Sequence, residues 1–164
     1  MNSQRKTSEI FWLRPGVLAG RAGPDLVPWT VEELQASNIR RVLSVNDGAL
    51  VHPEDFSPIG IEYGCYPLPD NAPPQPGDVE AAIDTLVAAL EFVLAPKPQE
   101  GGVLVHCRSG KDRTGLFLCY YLVCIEGFTT ERAIDEVKAV RPIALTAPGW
   151  DAFAREVLSA VPEL

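Results

Sequence analysis

The sequence lacks any apolar run long enough to cross a lipid bilayer. A membrane-spanning helix needs about 18 or more consecutive apolar residues, and no such stretch occurs among the 164 residues. Residues 1–6 are mostly polar and do not lead into the apolar segment that is typical of a secretion signal. We therefore expect a soluble, cytoplasmic protein with no stable membrane insertion.

Histidine is scarce, and the pattern of a metal site is missing. The chain has two histidines, His52 and His106, and neither has paired ligands at the spacing of a zinc site. We expect no metal and no other cofactor. Two of the four cysteines, Cys119 and Cys124, lie in an apolar stretch and are interpreted as core residues of a reduced, cytosolic protein.

Basic residues are outnumbered by acidic ones. The chain has 14 Lys and Arg against 22 Asp and Glu, which gives a net charge of −8. This balance argues against general attraction to nucleic acids or anionic membranes. Three of the basic residues are concentrated at Arg108, Lys111 and Arg113, so the local charge fits a small anionic group better than an extended polyanion.

The length and the hydrophobic pattern predict one α/β domain over residues 1–164. An apolar content of 46% in 164 residues is sufficient for a single core. Strand and helix patterns alternate, which predicts a central, mostly parallel sheet flanked by helices. Strands are predicted at 13–21 (a short strand or a hairpin), 41–45, 61–68 and 103–106, and helices at 30–37, 78–95, 113–126, 130–140 and 150–160.

Several residues mark the ends of these helices. Thr30 begins a capping box, and Asp78 is expected to cap the long second helix, which Pro96 and Pro98 end. Gly127 is expected to close the third helix, and Thr129 or Thr130 to cap the fourth.

The segment from His106 to Gly115, HCRSGKDRTG, carries the chemistry. Cys107 lies at the exit of an apolar strand, and Arg113 follows six residues later at the start of a helix. The polar loop between them contains Gly110, so successive backbone N–H groups can turn inward and bind an anion at the helix N-terminus. A phosphate group fits such a loop, whose lining residues are Arg108, Ser109, Gly110, Lys111, Asp112 and Arg113.

Each residue type in this segment suits attack of a thiolate on phosphate. A helix N-terminus and fixed positive charges favour the reactive thiolate form of cysteine, and Cys107 has both. The planar guanidinium of Arg113 can bind two phosphate oxygens at once. Thr114 can donate its hydroxyl to the sulfur, and His106 is interpreted as a hydrogen-bonded support of the loop that faces away from the thiol.

This segment resembles the signature loop of the cysteine-dependent protein tyrosine phosphatase superfamily, in its small dual-specificity branch. Residues 66–74, YPLPDNAPP, are similar to the general-acid loop of that family, and Asp70 precedes Cys107 by 37 residues, with one long helix between them. The resemblance covers about residues 17–150. It implies a catalytic set of Cys107, Arg113, Asp70 and Thr114, with no metal.

Two features depart from the family pattern. Asp112 precedes the arginine, as in some phosphoinositide phosphatases and in bacterial phosphatases that accept protein and lipid substrates. Asp112 is therefore a rival to Asp70 as the acid, or else an orienting partner for a cation of the loop. The chain also has no Gln or Asn in residues 141–164 to position the hydrolytic water.

The resemblance implies a phosphatase that acts on phosphotyrosine, and also on phosphoserine or phosphothreonine, in a protein or peptide. The alternatives are a phosphoinositide or inositol-phosphate phosphatase and a phosphate-binding pseudophosphatase. A monomer is expected. Cys65 is interpreted as a buried strand residue, with a protective disulfide to Cys107, as in some members of the family, as the alternative.

Overall fold

The computed structural model describes residues 9–97 and 99–161. The N-terminal segment 1–6 and Pro98, which were considered in the sequence, lie outside the described residues. Within the described residues no helix combines the length and the apolar character needed to span a membrane.

Five strands form one sheet. They are β1 (Phe11–Arg14), β2 (Leu18–Ala22), β3 (Ile39–Ser44), β4 (Glu62–Cys65) and β5 (Gly102–Cys107), in the spatial order β1-β2-β5-β3-β4. The first two form an antiparallel hairpin, and all other pairs are parallel. The predicted mostly parallel sheet is confirmed, and β5 with its nucleophile loop lies at its centre.

The fourth strand is shorter than the predicted segment 61–68. The chain still follows β3 beyond Cys65, because Tyr66 N donates to Ser44 O and Leu68 N donates to Val45 O, both at 2.8 Å. Pro67 has no N–H group, so a regular ladder cannot continue through it. The extension guides the chain towards the carboxyl edge of the sheet, where Asp70 lies.

The described residues contain five α-helices. They are α1 (Val31–Ala36), α2 (Asp78–Leu94), α3 (Arg113–Glu126), α4 (Thr130–Val140) and α5 (Trp150–Ala160). The predicted caps at Thr30 and Thr129 are confirmed, since each hydroxyl accepts a hydrogen bond from the backbone N–H three residues later. Gly127 ends α3 with a φ of 70°, as predicted.

The predicted capping role of Asp78 is wrong. The N-cap of α2 is Gly77, with a φ of 90°, and Asp78 is the first residue of the helix. Its carboxylate accepts hydrogen bonds from Gln75 N at 2.7 Å and Asn71 Nδ2 at 3.0 Å. These bonds lower the pKa of Asp78, and they fix the loop that follows Asp70.

The two faces of the sheet have different surroundings. The face that carries Leu43, Val105 and Cys107 packs against α2 to α5 in the larger core. The opposite face, with Val42 and Leu104, packs against α1 and the 3-10 turns of the β3–β4 loop. Alternation along β5 therefore places Cys107 on one face and His106 on the other.

The interpretation of Cys65 as a buried strand residue is wrong, because Cys65 is exposed. In the register of the sheet, Cys65 on β4 lies opposite Ser44 on β3, and Ser44 lies opposite His106 on β5. All three side chains therefore lie on the face opposite to Cys107. Two strand spacings put Cys65 about 10 Å from β5, beyond the reach of a disulfide. Cys119 is buried, as predicted, and Cys124 is partly buried.

Candidate active site

The segment from Cys107 to Arg113 joins the end of β5 to the start of α3. We call this segment the phosphate loop. Cys107 is 1% exposed and lies at the base of this loop. Gly110 has a φ of 65°, and a Cβ atom there would come within 2.5 Å of the backbone of Arg21. Only glycine fits this position without displacing β2, which keeps the loop tight against the sheet.

Arg141 holds the loop from outside. Its Nη2 donates to Ser109 O at 2.6 Å, and its Nε donates to Gly110 O at 3.2 Å. Since a carbonyl and the next N–H point in opposite directions across a planar peptide, these contacts turn the amides of Gly110 and Lys111 away from Arg141. Amides turned in this way are compatible with the predicted anion-binding concavity.

Thr114 lies beside the nucleophile. Its Oγ1 donates to the sulfur of Cys107 at 3.1 Å, and both residues are buried. Gly20 on β2 makes room for this pair, because a Cβ atom there would lie 3.0 Å from the methyl group of Thr114. The hydroxyl is therefore held in place to stabilise negative charge on the sulfur.

Arg113 links the phosphate loop to the Asp70 loop. Its side chain is 12% exposed, its Nε donates to Pro69 O at 3.1 Å, and its Nη2 lies 2.8 Å from Asp70 Oδ1. The guanidinium stacks over the ring of Trp150 with 5.0 Å to the centroid. A flat wall of this kind restricts the guanidinium to one plane.

Asp70 is the most accessible group of the site, with 76% of its side chain exposed. Its Oδ1 also accepts a hydrogen bond from Asn46 Nδ2 at 2.9 Å. Asn46 follows β3, and its own Oδ1 accepts from Asp47 N at 2.8 Å. Arg113 and Asn46 thus hold the carboxyl group from two sides, next to the loop that carries Cys107.

Asp112 has a different environment. It is 4% exposed, its Oδ1 accepts from Ala147 N at 3.1 Å, and its Oδ2 lies 3.8 Å from Lys111 Nζ. The backbone of Lys111 also accepts from Leu145 N at 3.3 Å. Asp112 therefore ties the phosphate loop to the segment that leads into α5.

His106 supports the loop from the other face of the sheet. Its Nδ1 lies 3.0 Å from Cys107 O, its Nε2 lies 2.5 Å from Ser44 Oγ, and Tyr63 donates to that same oxygen at 2.7 Å. If Nδ1 carries the proton, it donates to Cys107 O and Ser44 donates to Nε2. Every group in this series of hydrogen bonds then has a partner. Burial lowers the pKa of His106 to about 4, so the ring is neutral near pH 7.

Acidification from pH 6.5 towards 4 is expected to destabilise the protein through His106. Between its ordinary pKa of 6.5 and its folded value of about 4, the unfolded chain binds a proton that the folded chain does not. The contribution of neutral His106 to the free energy of unfolding is fully present above pH 6.5. As the pH falls through this window, the free energy of unfolding decreases by up to about 1.4 kcal/mol per pH unit. Urea unfolding at pH 7 and pH 5 measures the effect.

The matched controls for this titration are His106→Asn and the exposed His52→Asn. The first is expected to reduce the pH dependence to the part that the carboxylates contribute, whereas the second should keep the wild-type dependence. An unchanged slope in His106→Asn would show that His106 does not titrate in this window.

Carboxylates surround the opening of the loop. Asp25 Oδ2 lies 2.6 Å from Arg108 Nη1. Asp47 interacts electrostatically with the carboxylates of Asp25 and Asp70. Burial raises the pKa of Asp47, and both neighbouring carboxylates raise it further, while Arg108 lowers it. We refer to Asp25, Asp47 and Asp70 as the acidic rim.

The sequence reasoning did not identify several of these residues. Asn46 and Asp47 lie two and three residues beyond the end of β3, and the rule that ligands bind at the carboxyl ends of parallel strands is the signal that could have found them. Arg141 follows the helix predicted at 130–140, and Trp150 begins the helix predicted at 150–160, and neither position indicates a role in the site. Within the described residues, no group of three or more His, Cys, Asp or Glu side chains could hold a metal ion.

The strand, loop and helix, with a buried thiol at the loop's base and an arginine at the helix start, define a cysteine-dependent phosphatase domain. Residues 7–149 match the family model described as PTP-SAK, Swiss Army Knife protein, DSP-PTPase phosphatase domain. The chain belongs to this family, and the resemblance to the small dual-specificity branch is confirmed.

The curated relatives that the chain matches are described as protein phosphatases or phosphatase-domain proteins. Dual specificity protein phosphatase 1 of Arabidopsis thaliana is 30% identical over 118 residues, which cover 71% of this chain and 54% of the relative. Protein tyrosine phosphatase domain-containing protein 1 of Mus musculus is 32% identical over 114 residues, covering 70% of this chain and 14% of the relative. The chain thus spans about half of the first relative and a smaller part of the second.

Two solved structures support the fold. Tk-PTP in the active form superposes with a TM-score of 0.68 at 22% identity, covering 93% of this chain and 98% of the other. PTPMT1 in complex with PI(5)P has a TM-score of 0.63 at 16% identity, covering 92% and 95%.

Proposed function

We propose that residues 1–164 form one catalytic domain that removes phosphate from phosphotyrosine, and also from phosphoserine or phosphothreonine, in proteins. The observation that carries the proposal is that four groups, Cys107, Thr114, Arg113 and Asp70, form two contacting pairs at the phosphate loop. Thr114 donates to Cys107 at 3.1 Å, and Arg113 lies 2.8 Å from Asp70. The free thiols of all four cysteines support a reducing compartment such as the cytoplasm.

In the first step, the Cys107 thiolate attacks phosphorus in line with the ester oxygen. The loop amides and Arg113 bind the non-bridging phosphate oxygens and stabilise the charge that develops on them. Asp70 donates a proton to the departing phenol or alcohol. The products of this step are the dephosphorylated side chain and a cysteinyl-phosphate.

In the second step, water attacks the cysteinyl-phosphate and Asp70 accepts its proton. Thr114 stabilises the thiolate as it leaves. Asn46 acts as a positioning residue, because its amide holds the Asp70 carboxyl group at 2.9 Å. Asn46 thus places a side-chain amide beside the proposed base of this step. The amide comes from the loop after β3, whereas residues 141–164 contain no Gln or Asn.

The charges near the loop favour a protein substrate over an inositide. The two cations that an inositide could use besides Arg113 already face carboxylates, since Arg108 lies 2.6 Å from Asp25 and Lys111 lies 3.8 Å from Asp112. The acidic rim would repel additional phosphate groups on an inositol ring. The similarity to the PI(5)P complex of PTPMT1 makes a phosphoinositide the second candidate.

The third candidate is a pseudophosphatase that only binds phosphorylated partners. Binding alone requires neither a thiol nor an acid. The buried hydrogen bond from Thr114 to the sulfur and the two contacts on Asp70 serve the reaction rather than binding, which supports an active enzyme.

Initial rates on three substrates test the proposal. We expect kcat/KM on a phosphotyrosyl peptide to exceed that on short-chain phosphoinositides by about 10-fold or more, since the rim disfavours a second anionic group. A phosphoseryl peptide is the third substrate and measures dual specificity. A preference for the phosphoinositide would overturn the protein substrate class, and no hydrolysis of any substrate would favour the pseudophosphatase.

A further inference from the structure

A second concavity lies at the same edge of the sheet as the phosphate loop. It has a volume of about 280 Å³ and is enclosed by the loop that follows β2, the start of α1 and the turns that follow β3. Both strands neighbour β5 in the sheet, so both loops emerge at the same edge as the phosphate loop. We call this concavity the flanking pocket, and its wall includes Pro24, Trp29, Glu32, Leu50, Asp55 and Phe56.

The flanking pocket is continuous with the rim of the active site. Pro24 lies between Gly23, whose N–H donates to Arg108 O at 3.0 Å, and Asp25, whose carboxylate pairs with Arg108. Leu50 belongs to the 3-10 turn that begins directly after Asp47. The loops that build the pocket are therefore the same loops that frame the phosphate site.

The lining of the pocket is apolar with acidic groups at its margin. Leu50 is 48% exposed and Trp29 is partly buried, which leaves apolar surface accessible. Glu32 and Asp55 are exposed carboxylates, and no lysine or arginine is among the lining residues. His52 also lines the pocket, and its Nδ1 lies 3.4 Å from Glu54. Asp25 and Asp47 of the acidic rim belong to the same two loops and add further negative charge to them.

This combination suits a long basic side chain. Lysine and arginine bury their methylene stems against apolar surface while the charged end stays with carboxylates and water. The Trp29 ring already faces the Arg21 guanidinium, 5.2 Å from its centroid, so Trp29 contributes apolar surface to the pocket rather than a free cation site. An acidic side chain, or a second phosphate, would meet repulsion from the same carboxylates.

We propose that the flanking pocket binds a lysine or arginine side chain located a few residues from the phosphorylated residue of a protein substrate. The inference rests on the proposed protein phosphatase function. Because an extended peptide advances about 3.3 Å per residue, a substrate segment that leaves the phosphate loop along the rim brings its neighbouring side chains to the pocket. The enzyme thereby prefers basic sequences around its target.

A lysine scan of phosphotyrosyl peptides tests this inference. Lysine is placed at each position from four before to four after the phosphotyrosine in an alanine background, and the all-alanine peptide is the reference. We expect one position, or two adjacent ones, at which lysine raises kcat/KM roughly threefold to tenfold, mainly through KM. Glutamate at the same position should lower kcat/KM, and salt should weaken both effects.

Two double variants separate the pocket from general electrostatics. In Glu32→Gln/Asp55→Asn, the ratio of the lysine peptide to the alanine peptide is expected to fall towards one. In the control Asp84→Asn/Glu91→Gln, which removes the same charge from exposed positions on α2 across the sheet, the ratio should stay at the wild-type value. An equal fall of this ratio in both variants would assign the preference for lysine to net charge, and it would overturn the proposed role of the pocket.

The remaining outcomes distinguish this inference from the function on which it rests. Cys107-dependent hydrolysis of every peptide without a lysine preference, or with a preference for an apolar residue instead, overturns the pocket's role and leaves the phosphatase function intact. Absence of peptide hydrolysis by the wild-type enzyme overturns both.

Discussion

Replacing Cys107 with serine is expected to reduce kcat/KM on a phosphotyrosyl peptide by on the order of 10⁴-fold or more. Cys107 is the proposed nucleophile, and a serine hydroxyl in the same buried position is a much weaker one. The hydrogen bond from Thr114 and the loop amides remain available, so phosphate binding should survive. Steady-state rates together with the affinity for inorganic phosphate measure both consequences.

The exposed Cys65 provides the control for this substitution. Cys65→Ser removes a thiol from the opposite face of the sheet and is expected to retain the wild-type rate. Circular dichroism and thermal unfolding of both variants check that the fold is intact. A phosphate adduct on Cys107, detected by mass spectrometry after rapid quenching, is expected for the wild type. Full activity in Cys107→Ser would refute the cysteinyl-phosphate mechanism.

The nucleophile could be predicted from the sequence because its environment is local. Cys107, Gly110, Arg113 and Thr114 occur within eight residues, and the preceding apolar strand and following helix fix how these residues meet. The α/β fold was predicted for a similar reason, since each strand and helix carries its own hydrophobic period. Strand boundaries were predicted less well, as at β4, where Pro67 lacks an N–H group and ends the regular ladder before the predicted position 68.

The residues that the sequence did not reveal act across long separations. Arg141 reaches Ser109 and Gly110 from the end of α4, and Trp150 stacks on Arg113 from α5. Neither contact leaves a periodic or local signal. The burial of Cys65 was mispredicted because strand residues on an inner face are usually covered, whereas β4 lies at the edge of the sheet and Cys65 at its last position.

Asp112 shows why residue type and position alone do not assign a role. An acidic residue next to the loop arginine invites a catalytic interpretation. In the fold, its Oδ1 satisfies the Ala147 N–H and its side chain is almost fully buried, whereas Asp70 is exposed and lies 2.8 Å from Arg113. Burial and hydrogen-bond partners therefore favour Asp70 as the acid and Asp112 as a structural tie.

Asp70→Asn is expected to lower kcat by about 10²-fold, because the departing group then leaves without a proton. Asp112→Asn keeps an oxygen that can accept from Ala147 N and loses only the pairing with Lys111 at 3.8 Å. We expect its kcat to stay within about threefold of the wild type. Asp84→Asn, on the exposed face of α2, is the control for removal of one carboxylate.

The leaving group separates the loss of an acid from a general disturbance of the site. A poor leaving group needs protonation in the transition state, whereas a nitrophenolate departs readily without it. The defect of Asp70→Asn should therefore be larger on an alkyl phosphate or a phosphoseryl peptide than on nitrophenyl phosphate. Any defect of Asp112→Asn should be equal on all substrates. If Asp112→Asn shows the leaving-group dependence and Asp70→Asn does not, Asp112 is the acid, and the exposed carboxyl group beside Arg113 serves only to position the loop.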